Sequence, residues 1–316
     1  MKLQEWLQVI NTEYLREYIQ EGGAGVKFLV PNEDLSHEKV YDGIRKTAGD
    51  QGYVVVLADS AATKIHMIDR IFHEVARQID WDDLACQFVL KIFKENGYEI
   101  SSTQGELSLQ QIAILNSREE RFLRLEFRKW LEKGIYRDYA MSQEFRIAMI
   151  RLCLAQLDKE GASPFLTNAI KEWLRGELSQ ISTLKDALIY QKITRYNARY
   201  MLFSLAHWLK LNNKSGLVLV LDISRYTITT RTRDQSAGFY YSIPGTLDAY
   251  EVLRQFIDGT DEMESCFIVV IASKPFLSDE RRGVSRYDAL KLRIWDEVRD
   301  KNRQNPFASL IRISSY

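Results

Sequence analysis

The sequence predicts an α/β fold, in which helices flank a parallel sheet and a long helical insertion separates its two halves. Four nearly continuous apolar runs, at 26–30, 53–57, 217–221 and 266–271, are typical of strands buried on both faces. A helix pattern joins the first two runs, as in a βαβ unit. Between about 63 and 211 the sequence shows one amphipathic helix after another. We therefore expect a single domain over residues 1–316, with a helical insertion at about 81–170.

The composition is that of a globular protein with balanced charge. The chain of 316 residues has 43 Lys and Arg against 43 Asp and Glu, and 46% of its residues are apolar. This apolar share excludes a largely disordered chain. Zero net charge argues against a protein that coats nucleic acid over its whole surface, although it is compatible with a local basic patch. The three cysteines are isolated, which indicates reduced thiols and no zinc site.

The first sixty residues predict a helix followed by the βαβ unit. Apolar residues recur at three- and four-residue steps over 2–21, and the glycines at 22, 23 and 25 end that helix. The strand at 26–30 stops at Pro31. Asp34 or Ser36 can cap the next helix, which runs to Gly49 or Gly52 before the strand at 53–57.

The remaining elements are helices up to about residue 211, then two strands that each precede a helix. The strands at 217–221 and 266–271 are followed by helix patterns at 246–258 and 287–301. The N-terminus lacks the apolar region of a signal peptide, and no apolar run reaches the roughly 18 residues that a membrane helix needs. We expect a cytoplasmic protein that has no contact with a membrane.

The turn between the first strand and its helix occupies the place of a P-loop. A P-loop needs glycines whose amides wrap phosphates, a lysine for the β- and γ-phosphates, and a hydroxyl for Mg²⁺. Here the first glycine position holds Pro31, which has no amide hydrogen. The positions of Gly-Lys-Ser/Thr hold Ser36, His37 and Glu38. Glu33, Asp34 and Glu38 bring negative charge, so the residues favour an ordinary turn over a phosphate site.

The strand at 217–221 ends in Asp222, in the manner of a Walker B motif. An aspartate at the carboxyl end of a parallel strand can bind Mg²⁺ through water. An ATPase also needs a carboxylate that polarises the attacking water, but the next residue is Ile223. Because aspartates at strand ends are common, this motif alone indicates little.

Two other groups of residues carry weaker signals. His66, Asp69 and His73 have a spacing that would place all three on one helix face, where they could hold a metal, but a solvated face is the simpler interpretation. The segment after Asp222 mixes arginines with tyrosines, a mixture that can bind phosphates and stack on bases. Its members are Arg225, Tyr226, Arg231, Arg233, Tyr240 and Tyr241. We favour an exposed loop that contacts a partner protein, with nucleic acid as the alternative.

Several sequence blocks together resemble a known family. They are, in order, Gly22-Gly23-Ala24, Val26-Lys27-Phe28, Trp173-Leu174-Arg175-Gly176-Glu177, the residues 194–202, the residues 216–222, the residues 253–258, and Asn305-Pro306. Their order and spacing resemble the P-loop ATPases of BREX-type phage-defence operons, relatives of AAA+ and Orc/Cdc6-like proteins. The resemblance implies a P-loop NTPase-like (AAA+/ASCE) sheet core, oligomerisation through that fold, and antiviral work on DNA.

The resemblance also assigns roles to residues outside the turn. Ser273 falls where a polar sensor residue would end the next strand. Arg293 falls where the family carries an arginine that would reach a neighbouring subunit's nucleotide. Such ATPases continue into a small helical lid, which we expect to be missing after Tyr316. Because the P-loop residues and the acid after Asp222 are replaced together, we expect a pseudo-ATPase with no tightly bound cofactor and at most weak binding of ATP and Mg²⁺.

Three functions follow from these expectations. The favoured one is a catalytically dead subunit that has a structural or regulatory role beside an active ATPase of the same family, or beside other defence subunits, in a hetero-oligomer. The second is a divergent ATP-hydrolysing protein acting on DNA, with nucleotide contacts from Lys27, Lys39 or Asp222. The third is a DNA-binding subunit that uses Arg225, Arg231 and Arg233.

Overall fold

The computed structural model describes residues 1–100, 107–157, 163–228, 238–295 and 305–315. The chain divides into two units: Met1–Val75 together with Lys214–Tyr316, and Ala76–Asn213. Arg231 and Arg233, which the sequence singles out, lie outside the described residues, as does Tyr316. The predicted organisation, a single domain with a helical insertion at about 81–170, stays a prediction.

The first unit contains a parallel sheet of five strands in the order β2-β3-β4-β1-β5. The strands are β1 (Ala24–Pro31), β2 (Tyr53–Asp59), β3 (Gly216–Asp222), β4 (Cys266–Ile271) and β5 (Leu310–Ile313). All four pairings are parallel, and β4 and β3 lie between the two strands of the predicted βαβ unit. The α/β class is confirmed, and the sheet is consistent with a P-loop NTPase-like fold.

Six α-helices accompany the sheet in the described part of the first unit. They are α1 (Leu3–Val9), α2 (His37–Gly49), α3 (Ile68–Arg77), α10 (Ile243–Asp258), α11 (Lys274–Ser278) and α12 (Asp288–Ile294). The predicted helix at 2–21 is α1 followed by a π-helical segment, Ile10–Tyr18. Short 3₁₀ turns occur at Ser224–Thr227, Thr260–Glu262 and Val284–Arg286.

The core of this unit lies between the sheet and the N-terminal helices. Trp6, Ile10 and Ile44 pack on one face of the sheet, where they meet alternate residues of the central strands such as Val218 and Val269. All six residues of β4 are buried, as are the first six of β3, which explains their unbroken apolar sequences.

Gly216 begins β3 at a position where a side chain would collide with the neighbouring chain. Its φ is 141°, and a Cβ atom there would lie 2.1 Å from the Ser265 carbonyl oxygen. The Leu217 amide donates to the same oxygen at 2.9 Å. This close approach fixes where β3 starts beside β4, and therefore where Asp222 falls at the other end of the strand.

The regular elements among the described residues of the second unit are all helical. Its helices are α4 (Trp81–Glu95), α5 (Leu109–Leu115), α6 (Glu120–Leu131), α7 (Gln143–Leu157), α8 (Pro164–Arg175) and α9 (Ala198–Leu211). A π-helical turn, Glu132–Tyr136, follows α6, and a 3₁₀ segment, Ile181–Ala187, precedes α9. The core of this unit contains aromatic contacts; for example, Phe88 packs on Trp208 with ring centroids 4.7 Å apart. Among the described residues, none of the helices has the length and apolar character needed to cross a bilayer.

Candidate functional site

The residues predicted to form a nucleotide site lie at the carboxyl ends of the strands. In a parallel sheet these ends share one edge, where ligands of α/β proteins usually bind. Strand β1 ends at Pro31, β3 at Asp222 and β4 at Ile271, two residues before Ser273. The structure thus brings the degenerate turn, the Walker B-like aspartate and the candidate sensor to the same edge.

The turn after β1 is held in place by contacts within the protein. The Asn32 amide donates to the Ile313 carbonyl at 2.8 Å, and the Leu35 amide donates to the Asn32 carbonyl at 3.0 Å. Asp34 accepts a hydrogen bond from the Ser315 amide at 2.9 Å and another from its hydroxyl, and these bonds lower the pKa of Asp34. The turn therefore keeps a carboxylate fixed in its ionised form.

Helix α2 begins directly after the turn, as the sequence predicts, and Ser36 is its cap. The Ser36 hydroxyl accepts a hydrogen bond from the Lys39 amide at 3.3 Å. This bond satisfies one of the free amides of the first turn, which is the usual role of an N-terminal serine. In a P-loop those amides would face phosphate. Here one of them is already occupied by the serine.

His37 and Asp222 form the central contact of this edge. Nδ1 of His37 lies 3.0 Å from Oδ2 of Asp222, and the two side chains are 27% and 16% exposed. Burial raises the pKa of Asp222, but hydrogen bonds from His37 and from the Ser224 amide outweigh it and hold the pKa below its ordinary value. Asp222 is therefore an ionised carboxylate whose hydrogen-bonding capacity is partly used by the residue at the P-loop lysine position.

A second carboxylate lies beside Asp222 and was missed by sequence reasoning. Asp59 ends β2 and is the register partner of Asp222. Register partners in a parallel pair point to the same face of the sheet. Asp59 Oδ1 accepts a hydrogen bond from the Ala61 amide at 2.7 Å, so its side chain stabilises the turn that follows β2. The run Val-Val-Val-Leu-Ala-Asp at 54–59 contained the signal, since it has the same form as 217–222.

The candidate sensor and the candidate trans arginine both have partners within the chain. The Ser273 hydroxyl lies 3.2 Å from that of Thr227. The guanidinium of Arg293 binds both carboxylate oxygens of Asp258, and one of these contacts, Nη2 to Oδ2, is 2.9 Å long. Arg293 lowers the pKa of Asp258 through these bonds. Arg293 is therefore held by an acid of its own chain.

The segment after Asp222 differs from the exposed loop that the sequence predicts. Tyr226 and Tyr241 are 1% and 2% exposed, so the prediction is wrong for both. Arg282, itself 4% exposed, donates to the carbonyl oxygens of both tyrosines and holds the segment inward. Arg225 donates through Nε to the Phe239 carbonyl at 2.9 Å. Arg282 lies 56 residues after Tyr226 and 41 after Tyr241, so the local sequence gives no signal of these contacts and hydrophobic periodicity does not predict them.

The solvated histidine face predicted at 66–73 is also wrong. His73 is 6% exposed and lies inside the unit. His66 precedes α3, and its ring packs edge-on against Tyr241, with centroids 5.5 Å apart. Burial lowers the pKa of His66. In the described part of the chain, no group of three or more His, Cys, Asp or Glu residues is placed to hold a metal.

The lysines considered as alternative nucleotide contacts are in different environments. Lys27 is 5% exposed and donates to the carbonyl oxygens of Phe307 and Ala308, and burial lowers its pKa to about 8. Lys39 is exposed on the first turn of α2. Lys27 is therefore committed to the segment before β5, whereas Lys39 faces solvent.

An open cleft of about 540 Å³ adjoins the turn on the side of β5. The turn residues 31–34 line it together with Lys274, Leu277, Trp295 and Arg312. Lys274 Nζ lies 3.3 Å from a carboxylate oxygen of Glu33. The cleft thus combines an aromatic ring and two cations with two acids.

The residues present do not fit ATP and Mg²⁺ in the manner of a P-loop. A phosphate cradle requires amides that face the anion and a lysine, but Pro31 has no amide hydrogen and the lysine position is held by His37. A Mg²⁺ site requires oxygen ligands, but Oδ2 of Asp222 faces an imidazole nitrogen. We derive no hydrolytic step through this edge.

One comparison with known proteins gave a match. The family model described as "BREX system ATP-binding protein BrxC/D" matches residues 117–316. That range contains Asp222, Ser273 and Arg293 but not the turn at 31–38. No curated protein and no solved structure matched the chain.

Proposed function

Because the chain belongs to the family of BREX system ATP-binding proteins BrxC/D, we propose that it is a catalytically degenerate member of this phage-defence family. It serves as a structural or regulatory subunit beside an active ATPase of the same family. The observation that carries the proposal is the His37–Asp222 contact, which places an imidazole against the only Walker B-like carboxylate suggested by the family's sequence blocks.

The charge and hydrogen bonding of the turn support this proposal. Glu33, Asp34 and Glu38 oppose a polyphosphate at the position where it would bind. Two like charges 4 Å apart repel by about 1 kcal/mol in water and by about 4 kcal/mol at the effective dielectric constant of a protein surface. The amides of Asn32, Leu35 and Lys39 already donate within the protein. The turn thus places carboxylates where a phosphate would bind, and three of its amides are already used within the protein.

The missing second acid supports the loss of turnover. Ile223, which follows Asp222, is 2% exposed and contributes to the core. Positioning and charge stabilisation provide nearly all of the rate enhancement in phosphoryl transfer, so loss of the lysine and the acid together removes several orders of magnitude. Asp59 lies nearby, but its carboxylate already accepts a hydrogen bond from the Ala61 amide.

Arg293 supports a regulatory role within an assembly. An arginine supplied in trans raises the rate of a neighbouring NTPase by stabilising transition-state charge. In this chain Arg293 of α12 forms an ion pair with Asp258 of α10. We propose that binding to an active partner releases this pair and presents Arg293 to the partner's ATP.

An ATPase assay tests the degenerate site. The purified chain should give no turnover with Mg²⁺ above the level of an Asp222→Ala variant. Equal, near-zero rates in both proteins support the proposal, whereas turnover that Asp222→Ala abolishes would overturn it. Co-expression with a family member that retains the P-loop lysine tests the partner role. Arg293→Ala should reduce the partner's rate at least tenfold, with Arg121→Ala as the surface-charge control.

A divergent ATP-binding protein is the second candidate, and the cleft beside the turn favours it. Trp295 could stack on a base, and Lys274 and Arg312 could bind phosphates, on the side of the turn away from Asp222. ATP binding that is lost in Lys274→Ala and Arg312→Ala but retained in Asp222→Ala would support this candidate over the degenerate subunit.

A further inference from the structure

Four exposed tyrosines lie in the helical unit: Tyr190 and Tyr196 in the segment before α9, Tyr200 in its first turn, and Tyr139 on a turn that packs against this helix. Tyr190, Tyr196 and Tyr200 are 61%, 76% and 49% exposed, and Tyr139 is 82% exposed. Large aromatic side chains cost free energy when they are left in water, and several together indicate a binding surface. None of them lies at the sheet edge formed by residues 31–38 and Asp222.

The same stretch carries an excess of positive charge. Between Ala187 and Leu221 the sequence contains no Asp or Glu. Of the cationic residues there, Lys192, Arg195, Arg199 and Lys210 belong to the helical unit. In a chain of zero net charge, this local excess of cations favours an anionic ligand.

The arginines hold the tyrosine rings in place. The Arg195 guanidinium lies 4.8 Å from the centroid of the Tyr196 ring and donates to its hydroxyl at 2.7 Å. Arg199 lies 5.4 Å from the ring centroid of Tyr200. These contacts leave about half or more of each ring accessible, because Tyr200 and Tyr196 are 49% and 76% exposed. The rings are thus partly ordered before a ligand binds.

The turn after α6 brings a further tyrosine to this helix. The Ser142 amide donates to the Ser204 hydroxyl of α9 at 2.8 Å, and Asp138 lies 2.8 Å from His207 on the same helix. Tyr139 stands between these two anchors in the sequence. The Arg146 guanidinium lies 4.9 Å from its ring centroid and is 9% exposed. Asp138, the acid of this turn, is therefore paired with a histidine.

We propose that Tyr139, Arg195, Tyr196, Arg199 and Tyr200, here called the tyrosine–arginine surface, bind single-stranded nucleic acid. Unpaired bases stack on the tyrosine rings, and the arginines bind the phosphates between them. A duplex keeps its bases stacked inside and could use only the charges. Protein interfaces are also enriched in tyrosine and arginine, so the choice of a nucleic acid rests on charge: residues 187–213 contain cations and no Asp or Glu, which favours an anionic partner. This inference does not depend on the proposed function, because none of these residues belongs to the sheet edge formed by residues 31–38 and Asp222.

Fluorescence anisotropy with a labelled oligothymidylate of about 20 nucleotides tests the proposal on the full chain. The wild-type chain should bind it, with affinity that falls as NaCl rises from 50 to 200 mM. Two phosphate contacts from Arg195 and Arg199 contribute about −1.4 to the slope of log K against log salt. The slope measured for the Arg195→Ala/Arg199→Ala variant should therefore be shallower than that of the wild type by about 1.4. Loss of one stacked base costs between about 5- and 150-fold in affinity, so Tyr196→Ala should weaken binding at least fivefold.

Matched variants separate the surface from general effects. Tyr196→Phe keeps the ring and should bind like wild type. Phe165→Ala removes an aromatic side chain that is 71% exposed on the same unit. Arg121→Ala/Lys129→Ala removes two exposed charges from α6. Neither control should change the affinity for the oligonucleotide by more than twofold. A duplex of the same length should bind more weakly and should be insensitive to Tyr196→Ala. The proposal is wrong if oligothymidylate does not bind, if the tyrosine and arginine variants bind like their controls, or if a duplex competes equally.

Discussion

Removal of the His37 side chain tests the contact at the sheet edge. Exposed ion pairs contribute about 0–1 kcal/mol to stability, whereas removal of one partner of a fully buried pair costs about 3–5 kcal/mol. The side chains of His37 and Asp222 are 27% and 16% exposed, so the pair lies between these limits. We expect His37→Ala to lower the free energy of unfolding by about 1–2 kcal/mol, and the melting temperature by about 4 °C.

A double-mutant cycle isolates the contact from the loss of either side chain. Urea unfolding of the wild type, His37→Ala, Asp222→Ala and the double variant should give a coupling energy of about 1 kcal/mol. Glu38→Ala, which changes an exposed neighbour on the same turn, should stay within about 0.5 kcal/mol of wild type. A coupling energy near zero would refute the pair, and so would a His37→Ala variant with a gain in Mg²⁺-dependent ATP turnover.

The pH dependence of the same variants gives an independent check. Because the folded-state pKa of Asp222 is below its ordinary value of about 3.9, its stabilising contribution is complete above that pH and is lost as the pH falls through the folded value. In His37→Ala, burial still raises the pKa of Asp222 but the hydrogen bond from His37 is gone. The stability gap between wild type and His37→Ala should therefore narrow as the pH falls from the folded-state pKa of Asp222 in the variant to its lower folded-state pKa in the wild type. A constant gap would contradict this assignment.

Three further predictions concern the scaffold around the site. Ser36→Ala should cost about 1 kcal/mol in urea unfolding through loss of the helix cap, and Ser36→Asp should restore it. Burial lowers the pKa of Lys27 to about 8, below its ordinary value of about 10.4. The buried charge therefore costs its full free energy below about pH 8, and the free energy of unfolding should rise between about pH 8 and 10.4 as Lys27 loses its proton. In Lys27→Met this rise should be absent. Gly216→Ala should destabilise by more than about 3 kcal/mol, as a thermal shift would show, because its Cβ would collide with the Ser265 carbonyl and its φ is positive.

The strands that are buried on both faces could be predicted from the sequence, because their apolar runs are continuous. Strand β5, Leu310–Ile313, could not. It is four residues long, contains Arg312, and lies at the sheet edge, where one side needs no partner strand. The helix at 2–21 was predicted as one element, but its second half is π-helical, a difference of one hydrogen-bond step that periodicity does not resolve.

The candidate site was predictable in its location but not in its contacts. The end of β1 and the end of β3 follow from strand boundaries, so Ser36 and Asp222 were placed correctly. The His37–Asp222 contact joins residues 185 positions apart, and the inward position of Tyr226 and Tyr241 depends on Arg282. Such contacts depend on sheet order and tertiary packing, which hydrophobic periodicity does not contain.

The central claim is that the edge formed by residues 31–38 and Asp222 does not hold a triphosphate. Isothermal titration of the full chain with ATP and Mg²⁺ at pH 7.5 measures this directly. We predict no saturable binding up to about 1 mM ATP, which corresponds to less than about 4 kcal/mol of binding free energy. Saturation in the micromolar range that Asp222→Ala abolishes would contradict the claim.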